Sequence, residues 1–100
     1  MSTLAEAIDP DGRLVVLDEE GWEHILHEHV EMAPYREAIM ATVSSPDYRR
    51  PDPRRGRERY YCQDVGPSCW LFVVVHFNEA PARIVTAYAN RKDPPGLMTQ

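Results

Sequence analysis

The stretch that decides the fold is Cys69-Trp70-Leu71-Phe72-Val73-Val74-Val75-His76-Phe77-Asn78. Apolar side chains occupy both odd and even positions of this stretch, a pattern typical of a central β-strand that is covered on both faces. Further strands are predicted over 58–65 and 82–90, and the turn signals Gly66-Pro67-Ser68 and Glu79-Ala80-Pro81 separate the three. The second half of the chain therefore predicts a meander of three antiparallel strands.

The first half predicts a hairpin or a lone strand, followed by a helix. Asp9-Pro10-Asp11-Gly12 is a turn signal, because proline presets φ and glycine accepts a positive φ, and a strand over 13–17 follows it. Asp18 is suited to cap a helix over 19–31, whose first turn carries acidic side chains that the helix dipole favours.

A second helix is predicted from Pro34, a residue suited to a first helical turn, to Ser45-Pro46, which ends it. Residues 47–57 are dense in arginine, proline and aspartate and predict an exposed loop. The aperiodic tail 91–100 is expected to fray, which leaves an ordered core over 13–90. The predicted class is α+β, in a single domain.

Composition narrows the range of functions. With 100 residues, 43% of them apolar, the chain can bury one modest core, and no apolar run approaches the ~20 residues that cross a bilayer. We therefore expect a cytoplasmic protein without a membrane partner. The net charge of -5 argues against nonspecific coating of nucleic acid, but residues 48–59 carry six arginines, so one small basic site is predicted.

Three histidines, His24, His27 and His29, fall within the first predicted helix. Imidazole titrates near pH ~6.5, so two of them can serve as base and acid in one reaction. His29 lies on the apolar stripe of the helix, where a hydrogen-bonded histidine bordering the core is the alternative interpretation. His24 lies about 140° around the helix from His29, so one shared site requires a contribution from the sheet.

A metal site is an alternative interpretation of this helix. Four potential metal ligands are spaced three and four residues apart on one flank of the helix: His24, His27, Glu28 and Glu31. They lack the His-Glu-x-x-His order of zinc proteases. Cys62 and Cys69 flank a turn and are expected to be free thiols rather than a disulfide or a ligand pair. We predict no metal and no cofactor.

The arginine-rich segment offers guanidinium groups that suit phosphate oxygens, and it leads into Tyr60-Tyr61, rings on which a base can stack. Arg59 lies where the loop becomes strand, so its side chain can hold a transferring phosphate. The alternative is surface pairing, which stabilises little, with acidic residues of the first helix: Glu19, Glu20 or Glu31.

The last predicted strand carries two hydroxyl groups on one face. By strand alternation, Thr86 and Tyr88 share that face with Ala82 and Ile84. The hydroxyls can donate hydrogen bonds to a phosphoryl oxygen. The alternative is ordinary strand composition, since both residue types are good strand formers.

The order of these pieces is itself informative: Trp22-x-His24-Ile25-x-x-x-His29, then Ser45-Pro46-Asp47, Tyr60-Tyr61 and Ile84-Val85-Thr86-Ala87-Tyr88. Over about residues 13–90 the chain resembles the phage-associated branch of the barnase–EndoU–colicin–RelE group of ribonuclease-like folds. The resemblance implies a helical N-terminal part packed on a curved antiparallel sheet of about four strands. It also implies metal-independent cleavage of RNA in a cleft on the sheet surface.

The function predicted from the resemblance is a small endoribonuclease, toxin-like or phage-associated, with RNA as substrate and a cognate inhibitor or antitoxin protein as a further partner. The implied catalytic residues are His24, His29, Arg59, Thr86 and Tyr88. The predicted substrate-binding residues are Arg55, Arg57 and Tyr60 of the arginine-rich segment and the strand after it, with His76 as a further candidate from the middle strand. The alternative is a noncatalytic interaction module of the same fold that binds a protein or nucleic-acid partner, since folds also host lost activities.

Overall fold

The computed structural model describes residues 2–96. The chain forms the strands β1 (Thr3–Ile8) and β2 (Leu14–Asp18), helix α1 (Glu19–Glu28), a 3₁₀ helix (Val30–Tyr35) and helix α2 (Arg36–Ser44). Four strands follow: β3 (Tyr48–Pro51), β4 (Arg57–Gln63), β5 (Trp70–His76) and β6 (Ala82–Asn90). Within the described range, no helix is long and apolar enough to span a bilayer.

All six strands form one mixed sheet, in the order β1-β2-β6-β5-β4-β3. Neighbouring strands are antiparallel except β2 and β6, which pair in parallel through residues 15–16 and 82–83. The sheet curls, because Arg13 in the β1–β2 turn contacts Glu58 of β4 at 2.9 Å although β6 and β5 lie between those strands. The predicted α+β class is confirmed, whereas the predicted count of about four strands is wrong.

The additional strands have two origins. The predicted turn at residues 9–12 forms, with Gly12 at φ 82°, and the hairpin that it closes joins the main sheet through β6. The segment 47–57, predicted to be a loop, contains β3, which pairs with β4 from Tyr48 to Pro51. The loop prediction failed because arginines at a sheet edge keep their charged ends in water while their backbone completes a ladder.

Both faces of β5 are covered, as its apolar pattern predicts. On one face, here named the core face, the helices pack over a continuous apolar cluster that includes Leu17, Ile25, Met32, Ile39, Leu71, Val73, Val75 and Ile84. The opposite face, here named the site face, carries the alternate side chains of β5 and their neighbours on β4 and β6. They include Tyr61, Trp70, Phe72, Val74, His76, Thr86 and Tyr88.

Asp9 lies at the border of the core, where the hairpin turn meets β4. Its side chain is 0% exposed and accepts hydrogen bonds from Arg13 Nη2 at 2.7 Å and from the Tyr60 hydroxyl at 2.7 Å. Burial raises the pKa of Asp9, but the hydrogen bonds outweigh burial and lower that pKa to about 2. Burial and the neighbouring Asp9 carboxylate raise the pKa of the Tyr60 phenol.

Residues 91–96 contact the site face beyond the end of β6. The Trp70 indole N–H donates to Asp93 Oδ1 at 3.1 Å, and the Tyr48 hydroxyl donates to the Pro95 carbonyl at 3.4 Å. Pro94 is buried. Residues 91–96 of the tail that was predicted to fray thus contact the sheet, and the rest of that tail, 97–100, lies outside the described residues.

Candidate active site

A cleft of about 570 Å³ lies between α1, the β3–β4 turn and β6. Its walls carry more positive than negative charge, since three arginines outnumber two glutamates. The lining residues are Glu20, Gly21, His24, Glu28, His29, Arg54, Arg57, Arg83, Ile84, Val85 and Thr86. Such a concave, cationic site suits an anionic ligand.

The close approach of α1 to β6 forms one wall of this cleft. Asp18 caps the helix as predicted, and its Oδ1 accepts from the Gly21 amide at 2.7 Å. A Cβ on Gly21 would lie 2.8 Å from the carbonyl oxygen of Ile84, so only glycine permits this contact between helix and strand. His24 lies one turn beyond Gly21 and is exposed toward the cleft.

His29 reaches the same cleft because α1 ends earlier than predicted. The helix was expected to continue to residue 31, but it ends at Glu28, and His29 has the nonhelical angles φ -143° and ψ 69°. Its imidazole stacks on the ring of Tyr88, with centroids 5.3 Å apart and planes 28° apart. The angular separation from His24 that the sequence predicted for a continuous helix therefore does not apply.

The two predicted hydroxyls are brought to the site face by an irregularity in β6. Thr86 pairs with Val74 and Ile84 with Val75, so Val85 is an extra residue in the ladder. Ile84 is consequently in the core, whereas simple alternation placed it on the face of Thr86 and Tyr88. Burial raises the pKa of the Tyr88 phenol against the opposing influence of the Arg59 charge.

Register defines rows of side chains that cross the site face. An aromatic row runs from Tyr48 through Tyr61 and Phe72 to Tyr88, with successive centroids 5.5, 4.6 and 4.9 Å apart. Two residues along β4, a second row contains Arg59, Val74 and Thr86. Two residues further, a third row contains Arg57, His76 and Arg83. The aromatic row ends at His29, which stacks on Tyr88.

Arg59 is held in place by a carboxylate that the sequence analysis did not single out. Its Nε donates to Asp52 Oδ2 at 2.7 Å, and Asp52 is 7% exposed. Burial raises the pKa of Asp52, but the hydrogen bonds from Arg59 and from the Arg54 amide outweigh burial and lower that pKa. Asp52 therefore stays ionised and orients both Arg59 and the turn that precedes it.

The remaining arginines fall into paired and unpaired groups. Arg49 contacts Asp11 at 2.9 Å, and Arg83 contacts Glu79 at 2.9 Å. Neither Arg54 nor Arg57 has a carboxylate within 4.0 Å among residues 2–96, and both line the cleft. Among the described residues, the arginine segment forms no ion pair with Glu19, Glu20 or Glu31. Its two paired members are Arg49, which contacts Asp11 and Glu58, and Arg59, which contacts Asp52.

Three of the predicted substrate-binding residues do not line this cleft. Tyr60 is fully buried on the core face, where its hydroxyl binds Asp9, so its ring cannot stack with a base in the cleft. Arg55 is exposed on the β3–β4 turn. His76 lies between Arg57 and Arg83 in the third row, and its buried Nδ1 has no hydrogen-bond partner among the described residues.

The metal interpretation gains no support from the geometry. Among residues 2–96, no group of three or more His, Cys, Asp or Glu side chains is arranged to hold a metal ion. Cys62 is buried and Cys69 exposed, and both are free thiols. The two do not face each other across the hairpin, since Cys62 pairs with Leu71.

Comparisons with known proteins identify no relative: no family model, curated protein or solved structure matches this chain significantly. The site therefore has to be interpreted from its own geometry. Sequence reasoning missed Asp52 and Arg83, and it considered Arg54 only as part of the arginine-rich segment. Simple alternation placed Arg83 on the face opposite Thr86, and the extra residue Val85 brings it to the site face. Asp52 and Arg54 lie in a segment that was predicted to be a loop.

Proposed function

We propose that the protein is a small, metal-independent endoribonuclease, related in fold to the phage-associated branch of the barnase–EndoU–colicin–RelE group. The observation that carries this proposal is that His24, His29 and Thr86 line one cleft. Tyr88 adjoins it through its stack with His29. Two imidazoles from the first third of the chain thus line the same cleft as Thr86 of the last strand, beside unpaired arginines.

The chemistry that suits this arrangement is attack of a ribose 2′-hydroxyl on the adjacent phosphate. One imidazole takes the 2′-hydroxyl proton, a bond forms between O2′ and phosphorus, and the bond from phosphorus to O5′ breaks. The second imidazole gives a proton to the departing O5′. The products are a 2′,3′-cyclic phosphate and a 5′-hydroxyl, so atoms and charge balance without a metal or cofactor.

The other residues stabilise negative charge as it develops on the phosphoryl oxygens. Arg59 does not line the cleft but shares a row with Thr86, and its Nη groups remain for a phosphate because Asp52 is bound through Nε. Thr86 and Tyr88 offer hydroxyl donors, whereas Arg57 lines the cleft as a substrate-binding residue. Pre-positioned donors of this kind act in the transition state more strongly than flexible surface groups.

The test is cleavage of labelled RNA by the purified full chain in the presence of a chelator. We expect products that end in 2′,3′-cyclic phosphate, and a loss of at least a hundredfold in rate for the double variant His24→Ala, His29→Ala. The matched control is His27→Ala, because His27 is on the same helix, is 83% exposed and does not line the cleft. Undiminished cleavage by the double variant would remove both imidazoles from the mechanism.

The wider setting is part of the proposal: a cytoplasmic, toxin-like or phage-associated nuclease with RNA as substrate and a cognate inhibitor or antitoxin protein as partner. Its test is growth on overexpression of the full chain. We expect toxicity that the double histidine variant relieves. Growth arrest that persists in that variant would separate toxicity from RNA cleavage.

A noncatalytic interaction module is the second candidate function. The observation that favours it is the ion pair of Arg59 with Asp52, since a cation that is already neutralised attracts a phosphate less strongly. Capture of a protein or nucleic-acid partner, without cleavage of any of a varied set of RNAs, supports the module and excludes the enzyme.

A further inference from the structure

One unpaired arginine of the cleft, Arg57, lies in a different row of the sheet from the groups proposed to act on the cleaved phosphate, and the other, Arg54, lies on the turn before it. Arg59 and Thr86 share the second row, whereas Arg57 lies in the third. Side chains two residues apart along a strand are separated by about 7 Å. That separation is comparable with the distance between neighbouring phosphates of an extended nucleic-acid strand.

The charge balance of the third row is uneven. At one end, Arg83 is neutralised by Glu79 at 2.9 Å and Glu20 at 3.4 Å. At the other end, Arg57 and the adjacent Arg54 have no carboxylate within 4.0 Å in the described part of the chain. An anion in the cleft that extends from the second row to the third therefore meets two arginines without a close carboxylate, Arg54 and Arg57.

The turn that carries these two arginines is itself held in place. Asp52 Oδ1 accepts from the Arg54 amide at 2.8 Å, and the Asp52 amide donates to the Arg57 carbonyl at 3.0 Å. Gly56 has φ 79°, and its carbonyl accepts from the Phe77 amide at 2.7 Å. The turn is thus tied to the sheet, so the two guanidinium groups are presented from a fixed backbone.

We propose that Arg54 and Arg57 form a second phosphate subsite, which binds the phosphate next to the one that is cleaved. This inference rests on the proposed function and names its substrate class: an RNA strand with at least two consecutive phosphates, lying along β4. A dinucleotide with a single phosphate fills the second row alone and leaves this subsite empty.

The test measures binding separately from cleavage, using deoxythymidine oligonucleotides that lack the attacking 2′-hydroxyl. The full chain is titrated with the dinucleotide, which has one phosphate, and with the trinucleotide, which has two. We expect the trinucleotide to bind about tenfold more tightly, since a charge-assisted contact contributes about one power of ten. The slope of log affinity against log salt should be steeper by about 0.7 for the extra phosphate.

The double variant Arg54→Ala, Arg57→Ala should abolish both differences. The single variant Arg54→Ala provides a second measurement of the two differences. Its exposed side chain makes no hydrogen bond or ion pair with residues 2–96, so we expect its removal to leave the fold intact. The matched control is Arg91→Ala, an exposed arginine beyond β6 that does not line the cleft. It should keep the tenfold preference.

Equal affinity of the unmodified chain for the two oligonucleotides would overturn the subsite, as would a preference that survives in the double arginine variant. Inorganic pyrophosphate serves as a probe for simple anion attraction, and binding as tight as that of the trinucleotide would also overturn it. A chain that shows the preference but cuts no RNA retains the subsite and loses only the proposed catalysis.

Discussion

The imidazole of His29 and the ring of Tyr88 stack at 5.3 Å, which joins the end of the first helix to the last strand of the sheet. This contact links residues that are far apart in the chain. The stack also fixes the orientation of the His29 imidazole, which lies just beyond the end of the helix. Aromatic pairs of this kind contribute about 0.5–1.5 kcal/mol beyond the area that they bury.

Two substitutions of Tyr88 distinguish the contribution of its ring from the contribution of its hydroxyl group. Tyr88→Phe should change the free energy of unfolding by less than about 0.5 kcal/mol, but lower the rate of RNA cleavage at least tenfold, because one phosphoryl donor is lost. Tyr88→Ala should cost about 1–3 kcal/mol and also remove the ring-current shift of the His29 imidazole protons. Thermal unfolding, cleavage rates and proton NMR measure these effects. If the His29 imidazole protons have the same chemical shifts in Tyr88→Ala as in the unmodified chain, the positioning role is contradicted.

The close contact between α1 and β6 predicts that a methyl group added at Gly21 lowers the free energy of unfolding. Gly21→Ala would bring a Cβ to 2.8 Å from the Ile84 carbonyl oxygen, so the helix has to move away from the strand. We expect a loss of about 1–3 kcal/mol in the free energy of unfolding and reduced RNA cleavage. Glu23→Ala, on the exposed side of the same helix, should stay within about 0.5 kcal/mol. Denaturant titration of both variants provides the comparison.

The buried carboxylate of Asp9 predicts a particular response to acid. Its pKa falls from 3.8 to about 2 on folding, so the unfolded chain takes up a proton at a higher pH than the folded chain. The stabilisation, about 2 kcal/mol, is present above pH ~4 and is lost as pH falls toward ~2. The difference in unfolding free energy between the unmodified chain and Asp9→Asn should therefore shrink over that interval. A constant difference would show that ionisation of Asp9 is not its source.

The geometry around Arg59 predicts that lysine cannot replace it. The guanidinium binds Asp52 through Nε and keeps Nη groups for a phosphate, whereas an ammonium group is a single point that has to serve one or the other. Arg59→Lys should retain the fold and reduce RNA cleavage at least tenfold. Circular dichroism and cleavage rates check this. Full activity of the lysine variant would mean that charge alone suffices.

Several features of the fold could be predicted because local signals and tertiary structure agree. The turn at residues 9–12, the cap at Asp18 and the strand over 82–90 all form where the residues indicate. The covered central strand was evident from its apolar residues on both parities. In each case one segment carries the whole signal, so no knowledge of its distant neighbours was required.

The site was harder to predict because it depends on two irregularities. The early end of α1 and the extra residue at Val85 each rotate the side chains that follow, and neither has a glycine or proline to announce it. Without them, His29 would have stayed on the helix face and Ile84 would have shared a face with Thr86. Both irregularities are set by packing between helix and sheet, which periodicity along the chain does not record.

The parallel pairing of β2 with β6 also governs when the molecule can assemble during synthesis. β6 lies inside the sheet, yet it is translated after the other strands, so the hairpin of residues 3–18 has no partner along that edge until residue 82 has emerged. Pairings so distant in sequence close slowly and late. A nascent chain that stops before β6 therefore holds His24 and His29 but lacks the strand that forms the opposite wall of their cleft.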